Sequence, residues 1–236
     1  MLSLVLPKGS LERATLELFD AADLTVRRSS DRDYHGSIDD PRIDRVRFLR
    51  PQEIPSYIER GLFDLGITGR DWITETGAEV ASLGELKYSK ATTDPVRVVL
   101  AVPEGAPWQS VTDLPEGVRI STELPAMTSR YLEANGVKAM VIPSHGATEA
   151  KVPDIVDAIV DLTETGSSLR RNGLRILDTL LTSYTELVAN ITALARGDMN
   201  AVETVVPKHS VNTLIPALKA AGARDILEIP ISKIVQ

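Results

Sequence analysis

The segment IVDAIVDLTETGSSLRRNG, residues 155–173, passes from a buried strand into a polar loop within a few positions. Residues 155–160 are almost all apolar, which is typical of a strand that is buried on both faces of a sheet. Residues 161–169 then hold two acids, four hydroxyl residues and one glycine. A core strand that ends in such a loop fits an α/β fold, in which ligands bind beyond the carboxyl ends of parallel strands.

The rest of the chain repeats this alternation. The predicted strands are LSLVLP (2–7), RVRFLR (45–50), FDLGIT (63–68), VRVVLAVP (96–103), GVRIST (117–122), AMVIP (139–143) and DAIVDL (157–162). The predicted helices are LERATLELFDAADL (11–24), PQEIPSYIERG (51–61) and MTSRYLEANG (127–136). Strands that alternate with helices predict parallel sheets in an α/β fold.

Two polar stretches divide the chain into smaller units. Residues 84–95 end in Asp-Pro and predict a crossover, and residues 181–200 predict a second junction. The segment between them has the size of a small α/β domain, and the N-terminal segment forms another. The tail from Met199 has its own pattern: strand AVETVVP, helix HSVNTLIPALKAAG and strand DILEIP. A piece of this size cannot bury a good core alone, so it packs on the rest of the chain or on another subunit.

Composition and charge exclude several classes of function. The 236 residues carry a formal net charge of −7, which suits nucleic acid poorly because its phosphates must be neutralised. No apolar run approaches the roughly 20 residues that span a bilayer. Cysteine is absent, which excludes disulfides and thiolate metal sites, and His35, His145 and His209 are not spaced as a metal site. The sequence predicts a cytoplasmic protein with no nucleic-acid or membrane partner.

The loop after the strand has the parts of a phosphate cradle. Successive backbone N–H groups of TETGSS (163–168) can face one anion, and Gly166 can take the positive φ of such a nest. A helix that starts near Ser167 would add its first N–H groups. Asp161 and Glu164 would repel a bare phosphate but would accept hydrogen bonds from ribose hydroxyls, which favours a sugar phosphate. The same residues also fit a plain helix N-cap with its turn.

Several further motifs along the chain, in the order in which a known family has them, extend the evidence beyond this loop. Together they resemble the ATP phosphoribosyltransferase family of histidine biosynthesis. The matching segments are LPKGSLERATLELF (6–19), FLRPQEIPSYIERGLFDLGITGRDWITETG (48–77), ISTELPAMTSRYL (120–132), GATEAKVPDIVDAIVDL (146–162), DLTETGSSL (161–169) and, for the long form of the family, AVETVVPKHSVNTLIPALKAAGARDILEIPI (201–231).

The resemblance implies a fold and a reaction. It implies two α/β lobes that resemble type II periplasmic-binding-protein domains, with the active site in the cleft between them. Residues 1–90 would form lobe I, completed by about 179–190; residues 91–178 would form lobe II; residues 191–236 would form a partial ferredoxin-like (ACT-like) regulatory domain. The enzyme would transfer phosphoribosyl from phosphoribosyl pyrophosphate (PRPP) to N1 of ATP, with Mg²⁺ held mainly by substrate phosphates and water. A homo-oligomer, from dimer to hexamer, is implied as well.

The resemblance also assigns roles to individual residues. It implies catalytic roles for Lys8, Arg50, Asp161 and Glu149, of which the two acids face the ribose hydroxyls. It implies that the PRPP 5′-phosphate binds Glu164, Thr165, Gly166, Ser167, Ser168 and Leu169. It implies that ATP or pyrophosphate binds Lys8, Gly9, Arg32, Arg50 and Asp71, since guanidinium groups suit oxyanions.

Simpler roles stay open for several of these residues. Lys8 could equally be an ordinary lysine at a strand end. Glu149 could be a surface acid, and Arg32 a loop arginine that faces solvent. Asp161 also fits a loop cap, and Asp71 a cap on the following helix.

Two departures from the family pattern concern binding and regulation. Ser10 follows Pro-Lys-Gly, where the family often has arginine. YTELVAN runs almost directly into ITALARGDMN, so part of the long form's regulatory domain is missing and histidine feedback stays open. The alternatives to a transferase are a small-anion-binding protein and a non-catalytic regulatory subunit of the same fold.

Overall fold

The computed structural model describes residues 1–86, 88, 95–191 and 215. Two 3₁₀ turns, Val111–Asp113 and Thr148–Lys151, accompany the regular elements. In chain order these elements are β1 (Leu2–Pro7), α1 (Glu12–Ala21), β2 (Val26–Arg27), β3 (His35–Ile38), β4 (Ile43–Leu49), α2 (Ile54–Glu59), β5 (Leu65–Gly69), α3 (Arg70–Thr76), β6 (Ala81–Leu86), β7 (Val96–Pro103), β8 (Val118–Thr122), α4 (Pro125–Ala134), β9 (Ala139–Pro143), β10 (Ala158–Thr163), α5 (Ser167–Arg171), β11 (Leu174–Ser183) and β12 (Thr185–Ala189).

The first sheet has seven strands in the order β2-β3-β4-β1-β5-β12-β6. Its centre is parallel, with β1 between β4 and β5. Alternate residues of β1 serve opposite faces: Leu4 and Leu6 pack in a cluster with Leu16 and Phe19 of α1, whereas Val5 packs in the cluster that contains the buried side chains of α2. We call this sheet with α1, α2 and α3 lobe I.

The second sheet has five strands in the order β11-β7-β10-β8-β9. Strand β10 is parallel to β8 and antiparallel to β7. Helix α4 contributes Met127 and Leu132 to the core on one face, and α5 contributes Leu169 to the core on the other. We call this sheet with α4 and α5 lobe II.

The seven predicted strands are confirmed as β1, β4, β5, β7, β8, β9 and β10, and the three predicted helices as α1, α2 and α4. The prediction of parallel sheets is wrong in part. Strand β12 is antiparallel to β5 and β6, and β7 is antiparallel to β10 and β11. For β12 the reason lies in the crossing between lobes. The chain enters lobe I from β11 through Tyr184 at the edge where β5 ends, since Thr185 pairs with Gly69, so β12 runs back against β5.

Strand β12 lies inside lobe I, between β5 and β6, although the chain reaches it only after completing lobe II. The sequence analysis expected two α/β lobes that resemble type II periplasmic-binding-protein domains. The expectation of two lobes of this class is confirmed.

Helix α3 joins the two lobes. Trp72 packs against the core of lobe II. The Glu75 carboxylate accepts hydrogen bonds from the backbone N–H groups of Ala126, at 3.0 Å, and Met127, at 2.8 Å, in the first turn of α4. These N–H groups have no partner inside their own helix, so a carboxylate from the other lobe satisfies them.

The predicted C-terminal strands and helix, and with them the ACT-like piece, lie outside the described residues apart from Ile191 and Ile215. Within the described part of the chain, no helix has the length and apolar character needed to cross a membrane.

Candidate active site

Lys8 and Arg50 follow adjacent parallel strands, β1 and β4, and therefore lie at the same edge of the lobe I sheet. The backbone N–H of Lys8 donates to the carbonyl oxygen of Leu49 at 2.7 Å, which holds the two strand ends together. Gly9 has φ +102°, and a Cβ at this position would lie 3.5 Å from Arg50 Nη1. The turn after β1 thus packs closely against the Arg50 guanidinium.

The Lys8 side chain is held by groups from two other segments. Its Nζ donates to Glu12 Oε1 at 2.9 Å and to the carbonyl oxygen of Asp31 at 2.5 Å. A cavity of about 510 Å³ opens beside Lys8 and is lined in part by Gly9, Glu12 and Asp31. Arg32 follows Asp31, so its loop lies against Lys8, although the Arg32 side chain is exposed.

Asp71 lies at the start of α3, directly beyond the third parallel strand, β5. Its carboxylate is buried and accepts a hydrogen bond from Ser183 Oγ at 2.5 Å, while the Asp71 backbone N–H donates to the same Oγ at 3.0 Å. Burial raises the pKa of Asp71. A Cβ on Gly69 would lie 2.1 Å from Asp71 Oδ1, so this carboxylate folds back over a residue that must be glycine. Asp71 therefore ties lobe I to the end of β11, and its hydroxyl partner is a protein side chain.

The predicted PRPP loop lies at the carboxyl end of β10, in lobe II. Gly166 has φ +71°, and its N–H donates to Thr163 Oγ1 at 2.7 Å. The N–H of Ser167 lies 3.4 Å from Thr165 Oγ1, so two loop N–H groups are turned towards hydroxyl oxygens. The Leu169 side chain is buried in the lobe II core, which anchors the loop. Any contact of Leu169 with a ligand is therefore a backbone contact.

Two acids lie beside this loop. Ser168 Oγ donates to Glu149 Oε1 at 2.7 Å, and this hydrogen bond lowers the pKa of Glu149. The pKa of Asp161, in β10, is shifted in the opposite direction. Burial, together with repulsion from Glu149 and Glu123, raises its pKa to about 6, although its own chain neighbour Leu162 donates an N–H to it at 2.7 Å. A half-buried carboxyl group next to other acids favours hydroxyl donors or a cation as its partner.

The described residues contain no group of three or more His, Cys, Asp and Glu side chains arranged to hold a metal ion. The carboxylates of Asp161 and Glu149 nevertheless fit a hard cation that takes most of its oxygen ligands from a substrate and from water.

Three residues that contact the predicted site residues were not identified from the sequence. Glu12 stands four residues after Lys8, but Lys8 precedes α1, so the helical i,i+4 rule could not identify the pair. Arg28 pairs with Glu12 at 2.7 Å, and Thr163 accepts from Gly166. No sequence signal marks Arg28 as the partner of Glu12, because the contact depends on the packing of a separate loop on α1.

The two-lobed α/β molecule, with cationic side chains at one sheet edge and a glycine-containing loop flanked by acids on the other lobe, has the periplasmic-binding-protein fold. Comparison with known proteins narrows the class. The family model HisG: ATP phosphoribosyltransferase matches residues 50–214. The chain belongs to the ATP phosphoribosyltransferase family. These enzymes are pentosyltransferases that catalyse the first step of histidine biosynthesis.

Relatives match over nearly the whole chain. The ATP phosphoribosyltransferase of Chlorobium phaeovibrioides is 42% identical over 290 positions, which cover 100% of this chain and 98% of the relative. That of Pelotomaculum thermopropionicum is 40% identical over 291 positions, with 99% of each chain covered. The solved ATP phosphoribosyl transferase (HisG:HisZ) complex from Thermotoga maritima superimposes with a TM-score of 0.71 at 28% identity, covering 93% of this chain and 98% of that one.

The alignment to the Chlorobium relative spans 290 positions, 54 more than the 236 residues of this chain. The relative therefore carries at least 54 residues without a counterpart here. This agrees with the shortening noted in the sequence.

Proposed function

We propose that the chain transfers the 5-phosphoribosyl group of PRPP to N1 of ATP and releases pyrophosphate, with the residues above as its binding site. The observation that carries the proposal is the 2.7 Å hydrogen bond between Ser168 and Glu149. This hydrogen bond joins the phosphate loop to Glu149, whose negative charge also raises the pKa of Asp161. The loop and the two acids together therefore offer donors for a phosphate and acceptors for sugar hydroxyls.

In this proposal the loop Glu164–Leu169 takes the 5′-phosphate through the Ser167 hydroxyl and through backbone N–H groups other than those of Gly166 and Ser167, which donate within the loop. Thr163 and Thr165 already accept from loop N–H groups, so the loop keeps its shape before the ligand arrives. Such preorganisation lowers the entropy cost of binding. Arg170 Nη1 would lie 3.1 Å from a Cβ on Gly166, which places a positive charge against the loop.

Asp161 and Glu149 would accept hydrogen bonds from the ribose hydroxyls. These donors would favour the charged form of Asp161 and relieve the cost of its burial. Two negative charges near the sugar would also stabilise the positive charge that develops at C1 as pyrophosphate departs.

Lys8, Arg50 and Arg32 would bind the phosphate oxygens of ATP or of the leaving pyrophosphate from lobe I. Arg50 offers the fork of a guanidinium and Lys8 a point charge. When bound, Mg²⁺ supplies neutralisation of the diphosphate, and Asp161 and Glu149 are the described carboxylates that fit such an ion. The remaining contribution of the chain is to hold the two substrates in line across the cleft.

Pyrophosphate release from ATP plus PRPP tests the proposal. Release should require both substrates and Mg²⁺, and it should fall at least about tenfold in Asp161→Ala and in Arg50→Ala. The matched control is Arg27→Ala, which removes an exposed arginine whose ion pair with Asp39 is 4.0 Å long. Full activity in both site variants would contradict the assignment.

The two alternatives give different results in the same experiment. A small-anion-binding protein would gain thermal stability from PRPP or ATP without turnover. A regulatory subunit would affect pyrophosphate release only when it is mixed with a catalytic partner.

We further propose a cytoplasmic homo-oligomer, since its substrates are metabolites of the cell interior and the family resemblance implies assembly from dimers to hexamers. Residues 191–236 are proposed as a partial regulatory piece. Light scattering of the purified chain gives the subunit number. A histidine titration of pyrophosphate release decides whether feedback operates without the residues that the relatives carry.

A further inference from the structure

Glu12 lies at the centre of a charged cluster to which the proposed reaction assigns no role. It stands in the first turn of α1, and its two carboxylate oxygens are used differently. Oε1 accepts from Lys8 Nζ at 2.9 Å and pairs with Arg28 Nη1 at 2.7 Å, whereas Oε2 accepts from the Gly9 backbone N–H at 3.2 Å. One side chain thus fixes both the lysine and the turn that carries it.

We propose that Glu12 is a positioning residue for Lys8, and that its carboxylate is itself held in place by the buried Arg28. The inference rests on the proposed function, in which Lys8 binds a phosphate oxygen of a substrate.

The number of donors on Lys8 supports this role. An ammonium group has three N–H donors. Glu12 and the Asp31 carbonyl take two of them, and in the described part of the chain no third acceptor is recorded for Lys8. The two contacts fix the direction of the remaining donor, which a free lysine on a flexible stem would not have.

The charges support it as well. Lys8 and Arg28 carry two positive charges, and Glu12 carries one negative charge. The Asp31 carboxylate, 3.7 Å from Arg28 Nη2, carries a second negative charge, but it is fully exposed and solvent screens it. The Arg28 side chain is only 8% exposed and its guanidinium lies 4.3 Å from the centre of the Phe48 ring. Arg28 is therefore covered by protein, whereas Lys8, whose side chain is 21% exposed, is the cation of this cluster that a ligand can reach.

An acid in the first turn of a helix also has a simpler role, because it stabilises the helix dipole. That role uses neither the preceding lysine nor a buried arginine. Glu17 provides the comparison: it pairs with Arg13 at 2.8 Å with the same i,i+4 spacing on the same helix, but both side chains are exposed.

The test is a double-mutant cycle on pyrophosphate release with Glu12→Gln, Lys8→Met and the double variant, with Glu17→Gln as control. We expect Glu12→Gln to lower kcat about 10- to 100-fold, because misplacement of a binding group costs this much. We expect Glu12→Gln to have no further effect in the Lys8→Met background. If Glu12 only weakened the charge of Lys8, its removal would instead lower KM for PRPP or ATP and leave kcat unchanged. Thermal unfolding of each variant reports on folding, and Glu12→Asp, which keeps the charge but shortens the reach, replaces Glu12→Gln if that variant does not fold.

Equal losses from Glu12→Gln with and without Lys8 would overturn the inference, as would a Glu12→Gln variant with full kcat or a Glu17→Gln variant with the same loss. These outcomes require an active wild-type chain. A wild-type chain that releases no pyrophosphate would overturn the proposed function together with the inference that rests on it.

Discussion

Asp161→Asn is expected to make the protein more stable and less active at the same time. Burial raises the pKa of Asp161 from the ordinary 3.8 to about 6, and repulsion from Glu149 and Glu123 contributes. A shift of about two units corresponds to about 3 kcal/mol against the charged form in the folded protein. Because the carboxylate is only half-buried and salt screens the repulsion, we expect a gain of about 1–3 kcal/mol at pH 7.5.

The gain depends on pH with a defined sign. A carboxyl group whose pKa is raised on folding stabilises the wild-type protein fully below its unfolded pKa, near 3.8, and this contribution is lost as the pH rises through about 6. An asparagine has no such loss. The advantage of Asp161→Asn should therefore be present at pH 7.5 and should nearly vanish at pH 4.

Thermal unfolding at pH 4 and pH 7.5 measures the effect on both sides of the isoelectric point, near 5.1. For a chain of this size the Tm at pH 7.5 should rise by roughly 2–12 °C, while pyrophosphate release should fall at least about tenfold. Asp154→Asn is the control, because it makes the same substitution at an exposed position of lobe II. A lower Tm for Asp161→Asn at pH 7.5, or an equal gain at pH 4, would refute the reasoning.

Three further substitutions test other contacts. Gly166→Ala forces a φ of +71° on alanine and brings its Cβ to 3.1 Å from Arg170 Nη1. PRPP should therefore bind more weakly, and chemical unfolding should show a loss of about 1–2 kcal/mol in stability. The control is Gly117→Ala, at φ +80° with open space around it, which should lose stability without losing PRPP affinity. Glu75→Gln should cost about 1 kcal/mol in chemical unfolding because the first turn of α4 loses a charged acceptor, and an unchanged midpoint would exclude this contact. Ser183→Ala should cost about 1–3 kcal/mol because the buried carboxyl group of α3 loses its hydroxyl partner, and Ser183→Thr should recover part of the loss if the hydroxyl is the cause.

Local features were predicted well from the sequence. The helix start at Ser167 and the positive φ of Gly166 follow from neighbouring residues alone, and both are present in the structure. Strand directions were not predicted well, because the antiparallel entry of β12 depends on how the chain crosses between lobes. The two roles left open for Asp71 could not be separated, because its partner Ser183 lies 112 residues away in the chain. Glu12 could not be identified by helical spacing because Lys8 precedes α1, and its pairing with Arg28 arises only when the loop after β2 folds onto α1.

The position of β12 in the sequence sets the order in which the two lobes can fold during synthesis on the ribosome. All the described strands of lobe II lie between residues 96 and 183, so that unit can close as soon as this stretch has emerged. Lobe I starts first but finishes last, since the edge of β5 has no antiparallel neighbour until residues 185–189 leave the exit tunnel. During that interval the nascent chain presents an open strand edge, and a chaperone or a pause in translation would act with most effect there.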